Sequence, residues 1–256
     1  VLFGRQCDSV DDVTRFLAVQ HTFSEFFGAL EPQWEMRDIA FSYVRTVAGQ
    51  DVAGTPSQFD ALWLLGAAWP IADAARCPWV EDEIRLLRAF QKSGRPVVGL
   101  GGGAHVLAAA HGSGLLAAPA QAAYFTTAHG VVADDPLAQA VDGRRVLVMV
   151  NGGAALDASL TPVAIDDAGR WIAFRTPSPG YGLLFRPELK PGMLEDMVME
   201  ADREVPEDIG TLIETAREEW GALQATTERV TVALVSALDL MRERRKSPLF
   251  HLTVQR

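Results

Sequence analysis

Gly94-Arg95-Pro96-Val97-Val98-Gly99-Leu100-Gly101-Gly102-Gly103-Ala104-His105-Val106-Leu107-Ala108 is the stretch on which the reading of this chain turns. Val97 to Leu100 is strand-like, three glycines follow, and an apolar helical pattern begins near Ala104. A strand that runs into a sharp glycine-lined turn and then a helix forms an elbow, which holds one side chain at the helix N-terminus. Here glycine stands where that side chain would be.

The same texture extends on both sides. Upstream, Phe16-Leu17-Ala18-Val19-Gln20-His21 suits a short buried strand with a helix after it. Glu35 to Val47 alternates well enough for a second strand, and Phe59 to Gly66 is a third apolar run that ends on glycine. Residues 79 to 93 place Val80, Ile84, Leu87 and Phe90 at helical spacing. Strands this short and uniformly apolar, alternating with helices, predict an α/β doubly wound, mostly parallel sheet covered on both faces. From Ala122 to Phe185 the pattern changes to short β-rich runs separated by turns such as Asp166-Asp167-Ala168-Gly169, which predicts antiparallel hairpins. From Pro191 to Ser247 the periodicity is largely helical, with Leu212, Ala216, Trp220 and Leu223, then Val230, Leu234, Ala237 and Met241, on apolar faces.

Composition narrows the function classes. The 256 residues are 48% apolar and 22% charged, which is a globular profile and argues against intrinsic disorder. A net charge of −10 offers no attraction for phosphate backbones or anionic lipid, and the one dense basic run, Arg242 to Lys246, has only four cations. Neither nucleic acid nor a membrane is an expected partner. Two cysteines, Cys7 and Cys77, build neither a disulfide framework nor a thiolate zinc site. No stretch reaches the roughly 18 apolar residues of a membrane span, and Val1 to Asp12 lacks a signal-peptide core, so a cytoplasmic location is expected.

Taken in order, these segments resemble the class I glutamine amidotransferases, in particular those whose glutaminase domain is like that of GMP synthase. The family elbow reads, in outline, P-V-x-G-I/L-C-x-G-x-Q-x-L/I-A. Gly66-Ala67-Ala68-Trp69-Pro70 resembles the family's G-G-P oxyanion turn, and Pro78-Trp79-Val80-Glu81-Asp82-Glu83 its P-W-L/I-x-x-E helix start. Phe16 to His21 resembles its first strand. Gly180-Tyr181-Gly182-Leu183-Leu184-Phe185-Arg186-Pro187-Glu188 resembles the G-x-Q-F-H-P-E segment that supplies the catalytic His and Glu. The resemblance spans residues 14 to 200 and implies a flavodoxin-like amidotransferase domain over 1–200. It leaves 201–256 as a helical extension that packs on the domain or on a partner.

The resemblance also implies a loss. Gly101 stands at the nucleophile position and Arg186 at the general-base position, where a guanidinium cannot accept a proton near neutral pH. Glu188, the orienting carboxylate, remains. His105 takes the place of the glutamine-contacting residue, and Ala67 that of the second oxyanion-turn glycine. The chain therefore reads as a pseudoenzyme, without cofactor or metal, acting as a structural or regulatory subunit or a small-ligand binder in a biosynthetic complex with a synthase or ligase partner. The ligand pocket is expected at Gly66, Ala67, Trp69, Gly101, Gly102, His105, Arg186 and Glu188.

Alternatives stay open at this level. An enzyme with new chemistry would use His105 or Glu188 as acid or base and Arg186 as an anion clamp. A surviving glutaminase would need a nucleophile outside the elbow, and Cys77 is the candidate, although Cys7 and Cys77 both read more simply as small apolar residues. The glycine triplet either cradles an anion at the helix N-terminus or answers a backbone need. It is no P-loop, because no Gly-Lys-Ser/Thr follows, and it fails dinucleotide spacing. His105 and His111 lie about 240° apart on a helix and cannot share a metal. His21 and His129 are the histidines that could approach the elbow in three dimensions, and Trp69 could floor a pocket. The C-terminal helices either pack on the domain or supply a homo-oligomer interface.

Overall fold

A computed structural model describes residues 13–52, 56–116, 122–200 and 205–241. Cys7, the Val1 to Asp12 lead and the Arg242 to Lys246 basic run lie outside the described residues.

The chain begins with β1 (Arg15–Gln20), α1 (Glu31–Glu35), β2 (Ala40–Arg45), β3 (Ala61–Leu64), α2 (Val80–Lys92), β4 (Val97–Leu100) and α3 (Gly102–Ala110). It continues through β5 (Gly114–Leu116), β6 (Ala122–Gly130), α4 (Pro136–Val141), β7 (Arg144–Val150), β8 (Gly153–Ala155), β9 (Thr161–Ile165), β10 (Trp171–Arg175) and β11 (Gly180–Leu183). The last elements are α5 (Pro191–Met199), α6 (Ile209–Glu218) and α7 (Trp220–Ala237). Among the described residues, nine strands form one sheet in the order β2-β1-β3-β4-β11-β10-β9-β6-β7, and β5 pairs with β8 separately.

The pairings from β2 across to β11 are parallel, and those from β11 to β7 are antiparallel. This is the division that the sequence texture predicts. β3 and β4 are buried along their whole length because helices and aromatic side chains cover both faces. Phe16, Trp34 and Trp63 form an aromatic cluster over β1 and β3, with ring centroids 5.2 to 5.8 Å apart. β7 serves two cores by its period of two: Val146, Val148 and Val150 face the main one, while Leu147 and Met149 meet Met193, Leu194 and Met197 of α5. α6 packs on α5 and β6, and α7 on α4 and β7.

Two local expectations change. Instead of a regular helix after β1, the chain makes a 3-10 turn at Gly28–Leu30 and a helix of only five residues, α1. The reason lies at Gly28, whose φ is 50° and where a Cβ would overlap the Glu188 carbonyl and the Met193 sulfur. The next N–H, that of Ala29, donates to the same Glu188 carbonyl at 2.9 Å. In α2 the apolar stripe includes a fully buried Glu83, while Val80 and Ile84 are half-buried. No helix of the described residues is long and apolar enough to cross a membrane.

Candidate functional site

β1 pairs with β2 on one side and β3 on the other, so the chain reverses direction across the sheet at β1. In open α/β sheets such a switch point is where ligands bind, at the carboxyl ends of the strands. Four segments converge there: His21 to Glu25 after β1, Gly66 to Ala68 beyond β3, Gly101 after β4, and Phe185 to Glu188 after β11. The last segment is fixed against β7 by a Val148–Phe185 bridge and by Arg186 N–H donating to the Leu147 carbonyl at 2.8 Å. Its side chain is thereby aimed inward.

Arg186 fills the convergence point. Its Nε donates to Glu188 Oε1 at 2.6 Å, its Nη2 to Glu25 Oε1 at 2.8 Å and its Nη1 to the Met149 carbonyl at 3.2 Å. All three charged side chains are at most 2% exposed. Glu25 Oε2 accepts from the Thr22 hydroxyl, and Glu188 Oε2 is buried without a hydrogen-bond partner. Burial would lower the guanidinium's proton affinity, but Glu188 and Glu25 outweigh it and hold Arg186 charged. Burial pushes Glu188 above the usual carboxylate range in spite of Arg186.

The glycines make room for this cation. Gly101 starts α3 with φ 53° and ψ −115°, a backbone that side-chain-bearing residues rarely adopt. A Cβ on Gly101 would lie 2.8 Å from Arg186 Nη1. One on Gly66 would overlap Glu25 Oε1 and Arg186 Nη2, and one on Gly102 would lie 2.8 Å from the Ala67 Cβ. Absence of side chains at 66 and 101 and presence of the guanidinium are thus one packing solution.

A second buried cluster supports the Gly66 turn from behind. His21 Nδ1 lies 2.9 Å from the Gly66 carbonyl and 3.2 Å from that of Leu65, while Nε2 lies 2.5 Å from Glu83 Oε1. The imidazole stacks on Trp79 with centroids 4.0 Å apart. A carbonyl can only accept, so Nδ1 carries a proton, and the remaining shared proton lies between Nε2 and Glu83. Burial alone would lower the pKa of His21; the Glu83 charge and hydrogen bond overcome it and hold His21 above its ordinary value.

The sequence-derived pocket residues separate in space. Gly66, Gly101, Arg186 and Glu188 meet directly, and Ala67 and Gly102 adjoin them. His105 does not join the ion cluster. It is 1% exposed, hydrogen-bonds to the backbone of Asn151 and lies edge-on to Trp171, with Nε2 unpartnered. Burial lowers its pKa to about 4, so it is neutral at pH 7. Asn151 also donates to the Ala67 and Ala68 carbonyls at 2.8 and 2.7 Å, fixing the turn. Trp69 is half-buried and carries the Arg76 guanidinium 3.9 Å over its ring.

Other candidates settle elsewhere. Cys77 is buried, its thiol 3.7 Å from the Pro70 carbonyl, and burial, then Asp73 and Glu83, push its pKa up to about 12. His129 pairs with Asp167 at 2.9 Å on an exposed surface where β6 pairs with β9, and His111 meets Gln91. Among the described residues, no group of three His, Cys, Asp or Glu could hold a metal ion. Sequence reading missed Glu25 and the pairing of His21 with Glu83. The available signal was a His and a Glu four residues apart directly after β1.

Solved structures share this architecture. The fold is similar to that of a glutamine amidotransferase from Thermotoga maritima, with a TM-score of 0.73 at 20% identity over 87% of this chain and 98% of that one. It is similar to a glutamine amido transferase from Methylobacillus flagellatus, with a TM-score of 0.71 at 15% identity over 92% and 99%. A protein described as a GMP synthase subunit, from Thermoplasma acidophilum, follows at 0.57 and 13% over 89% and 97%. No family model and no curated protein matches the sequence. At these identities the likeness establishes the fold: a flavodoxin-like α/β sheet of the glutamine amidotransferase type, with helices at the C-terminal end.

Proposed function

We propose that the chain is a non-catalytic member of the glutamine amidotransferase fold, with a structural or regulatory role in a biosynthetic complex. The observation that carries this reading is the Arg186 guanidinium, which occupies the space over Gly66 and Gly101 where a glutamine side chain and a nucleophile would have to meet. A thiolate nucleophile needs a side chain at the elbow and a base beside it, and neither Gly101 nor Arg186 supplies one. Cys77 is no substitute, because a thiol with a pKa pushed up to about 12 is protonated at neutral pH. The repurposed-enzyme reading draws no support either: Glu188 is tied to Arg186, and a neutral, buried His105 faces Asn151 and Trp171.

The fold's occurrence in a protein described as a GMP synthase subunit supports a synthase or ligase as the partner; a cytoplasmic location belongs to the same reading. Residues 1–200 would be the amidotransferase-like unit, and 201–256 its helical extension. The test is glutamine hydrolysis, with ammonia and glutamate both measured, on purified protein alone and with co-purifying partners. Wild type is expected to match a no-protein blank; equal release of both products would overturn the reading. The Gly101→Cys/Arg186→His double variant is the companion, since Gly101→Cys alone collides with Arg186 and Arg186→His alone leaves no nucleophile.

A further inference from the structure

The nine-stranded sheet ends at β7 on one side and at β2 on the other, and the two edges are finished differently. The backbone of β7 is closed by its own chain. Met149 N–H donates to the Leu184 carbonyl at 3.2 Å, Arg186 N–H donates to the Leu147 carbonyl at 2.8 Å, and the Thr226 hydroxyl reaches the Arg145 carbonyl. On β2 the residues alternate. Ala40 N–H donates to the Thr14 carbonyl, so the backbone groups of Ala40, Ser42 and Val44 turn toward β1 and those of Phe41, Tyr43 and Arg45 turn outward. Gln50 holds both outward groups of Arg45: its Oε1 accepts at 2.8 Å and its N–H donates at 3.1 Å. At the other end Ile39 N–H donates to the Trp34 carbonyl at 3.0 Å. Between these caps, Phe41 and Tyr43 present two N–H and two C=O groups that have no hydrogen-bond partner among the described residues. Edge strands are ordinarily protected by a proline, a bulge or charged side chains. β2 has neither proline nor bulge, its register with β1 runs unbroken through six pairs, and its only charge is Arg45 at the end.

We propose that β2 pairs antiparallel with β2 of a second copy of the chain, about a two-fold axis through Ser42. An isologous contact requires a self-complementary patch, and the open groups are symmetric about this residue. Phe41 exchanges both hydrogen bonds with the partner's Tyr43, and Tyr43 does so with the partner's Phe41, which uses all four groups on each copy. An axis through Phe41 or Tyr43 would instead call on Ile39 or Arg45, whose groups are already engaged. The side chains fit the same register. Phe41 and Tyr43 lie on one face, 5.7 Å apart and both packed on Phe27, with the Tyr43 hydroxyl fixed by Phe27 N–H and Glu31. Across the axis each ring meets the other kind, a favourable cross-strand pair. On the opposite face Ala40 and Val44 meet the partner's Val44 and Ala40. Exposed Ser42 meets the partner's Ser42 in a non-hydrogen-bonded pair, where the strands come closest and a small residue is needed. Arg45 falls beyond the paired residues, so no like charges stand opposite each other. A six-residue strand is about 20 Å long, and the footprint belongs to the small, concentration-dependent class of interface.

The test is sedimentation of the full chain from about 1 μM to about 1 mM, a range that brackets weak association. Wild type is expected to pass from one-chain to two-chain mass. Ser42→Lys and Ser42→Glu each set like charges against each other at the axis and should weaken association at least about tenfold. An equimolar mixture of the two variants should recover it. The register is read by cross-linking in a Cys7→Ser background, where the buried Cys77 is the remaining thiol. Ser42→Cys should give a disulfide-linked dimer on oxidation, because Cα atoms in a non-hydrogen-bonded pair lie about 4.5 Å apart. Ala40→Cys should not, since its two copies lie about 14 Å apart in this register. Ala40 and Ser42 are both exposed, so thermal unfolding serves as the folding control. A wild type that stays at one-chain mass throughout would overturn the proposal, as would a mixture that fails to recover or cross-linking that is equal at positions 40 and 42.

Discussion

Two buried charge clusters flank Gly66, and they differ in the cation. In front, Arg186 sits between Glu25 and Glu188; behind, His21 sits between the Gly66 carbonyl and Glu83. A guanidinium keeps its charge at any pH a protein survives, whereas an imidazole can give it up. The front cluster is therefore a permanent filling of the cleft, and the rear one a titratable strut under the turn. In the front cluster only Glu188 Oε2 lacks a partner, and it is buried, while the rear cluster stacks on Trp79 and braces the backbone of the Gly66 turn.

The largest way to break this comparison is Arg186→Ala. It strands two buried carboxylates and should cost about 3–5 kcal/mol in urea unfolding, much of it recovered when Glu25→Gln and Glu188→Gln are added. A loss below about 1 kcal/mol would mean that the cluster does not hold the cleft. Next comes His105, whose folded pKa of about 4 lies below its unfolded value of 6.5. Its contribution is complete above 6.5 and lost as pH falls toward 4, worth roughly 3 kcal/mol by pH 4. In His105→Phe, that acid-side loss should vanish from the stability–pH curve.

Gly101→Ala should cost about 1–3 kcal/mol, from the positive φ and the contact with Arg186. In the Arg186→Ala background the contact is gone, so a double-mutant cycle should show coupling above about 0.5 kcal/mol. Additive losses would place the whole cost in the backbone. The smallest effect separates the two cations by pH. His21 is held above 6.5, so its stabilisation is complete below 6.5 and lost as pH rises through the folded value. The wild type should lose stability on the alkaline side at no more than about 1.4 kcal/mol per pH unit, the limit for one proton. Glu83→Gln should flatten that slope. Glu188, also raised, carries the same sign but starts from 4.5, so a slope that survives Glu83→Gln above neutral pH would argue against the His21 assignment.

The strands and the elbow were legible because they are local: an apolar run that ends on glycine announces itself within ten residues. Gly66, Gly101, Arg186 and Glu188 were legible because each ends such a run. Glu25 was not, since it reaches Arg186 only through a sheet order that places the loop after β1 beside the segment after β11, 161 residues away. Glu83 was hidden for a different reason. Its neighbours Leu86, Leu87 and Phe90 give α2 an apolar stripe, and a carboxylate beside that stripe reads as solvated until His21 is placed against it. His105 lay in a legible helix, but its distance from the ion cluster follows from Asn151 and Trp171, which arrive from other strands.

The contact between Gly101 and Arg186 also constrains how this sequence can change over generations. A side chain returned to position 101 first collides with the guanidinium, and a smaller residue at 186 first leaves Glu25 and Glu188 facing each other in a dry interior. Each single step loses fitness through stability before a second step can repay it. The pair is an epistatic lock: position 101 gains a side chain, and position 186 a smaller residue, only by two coordinated substitutions.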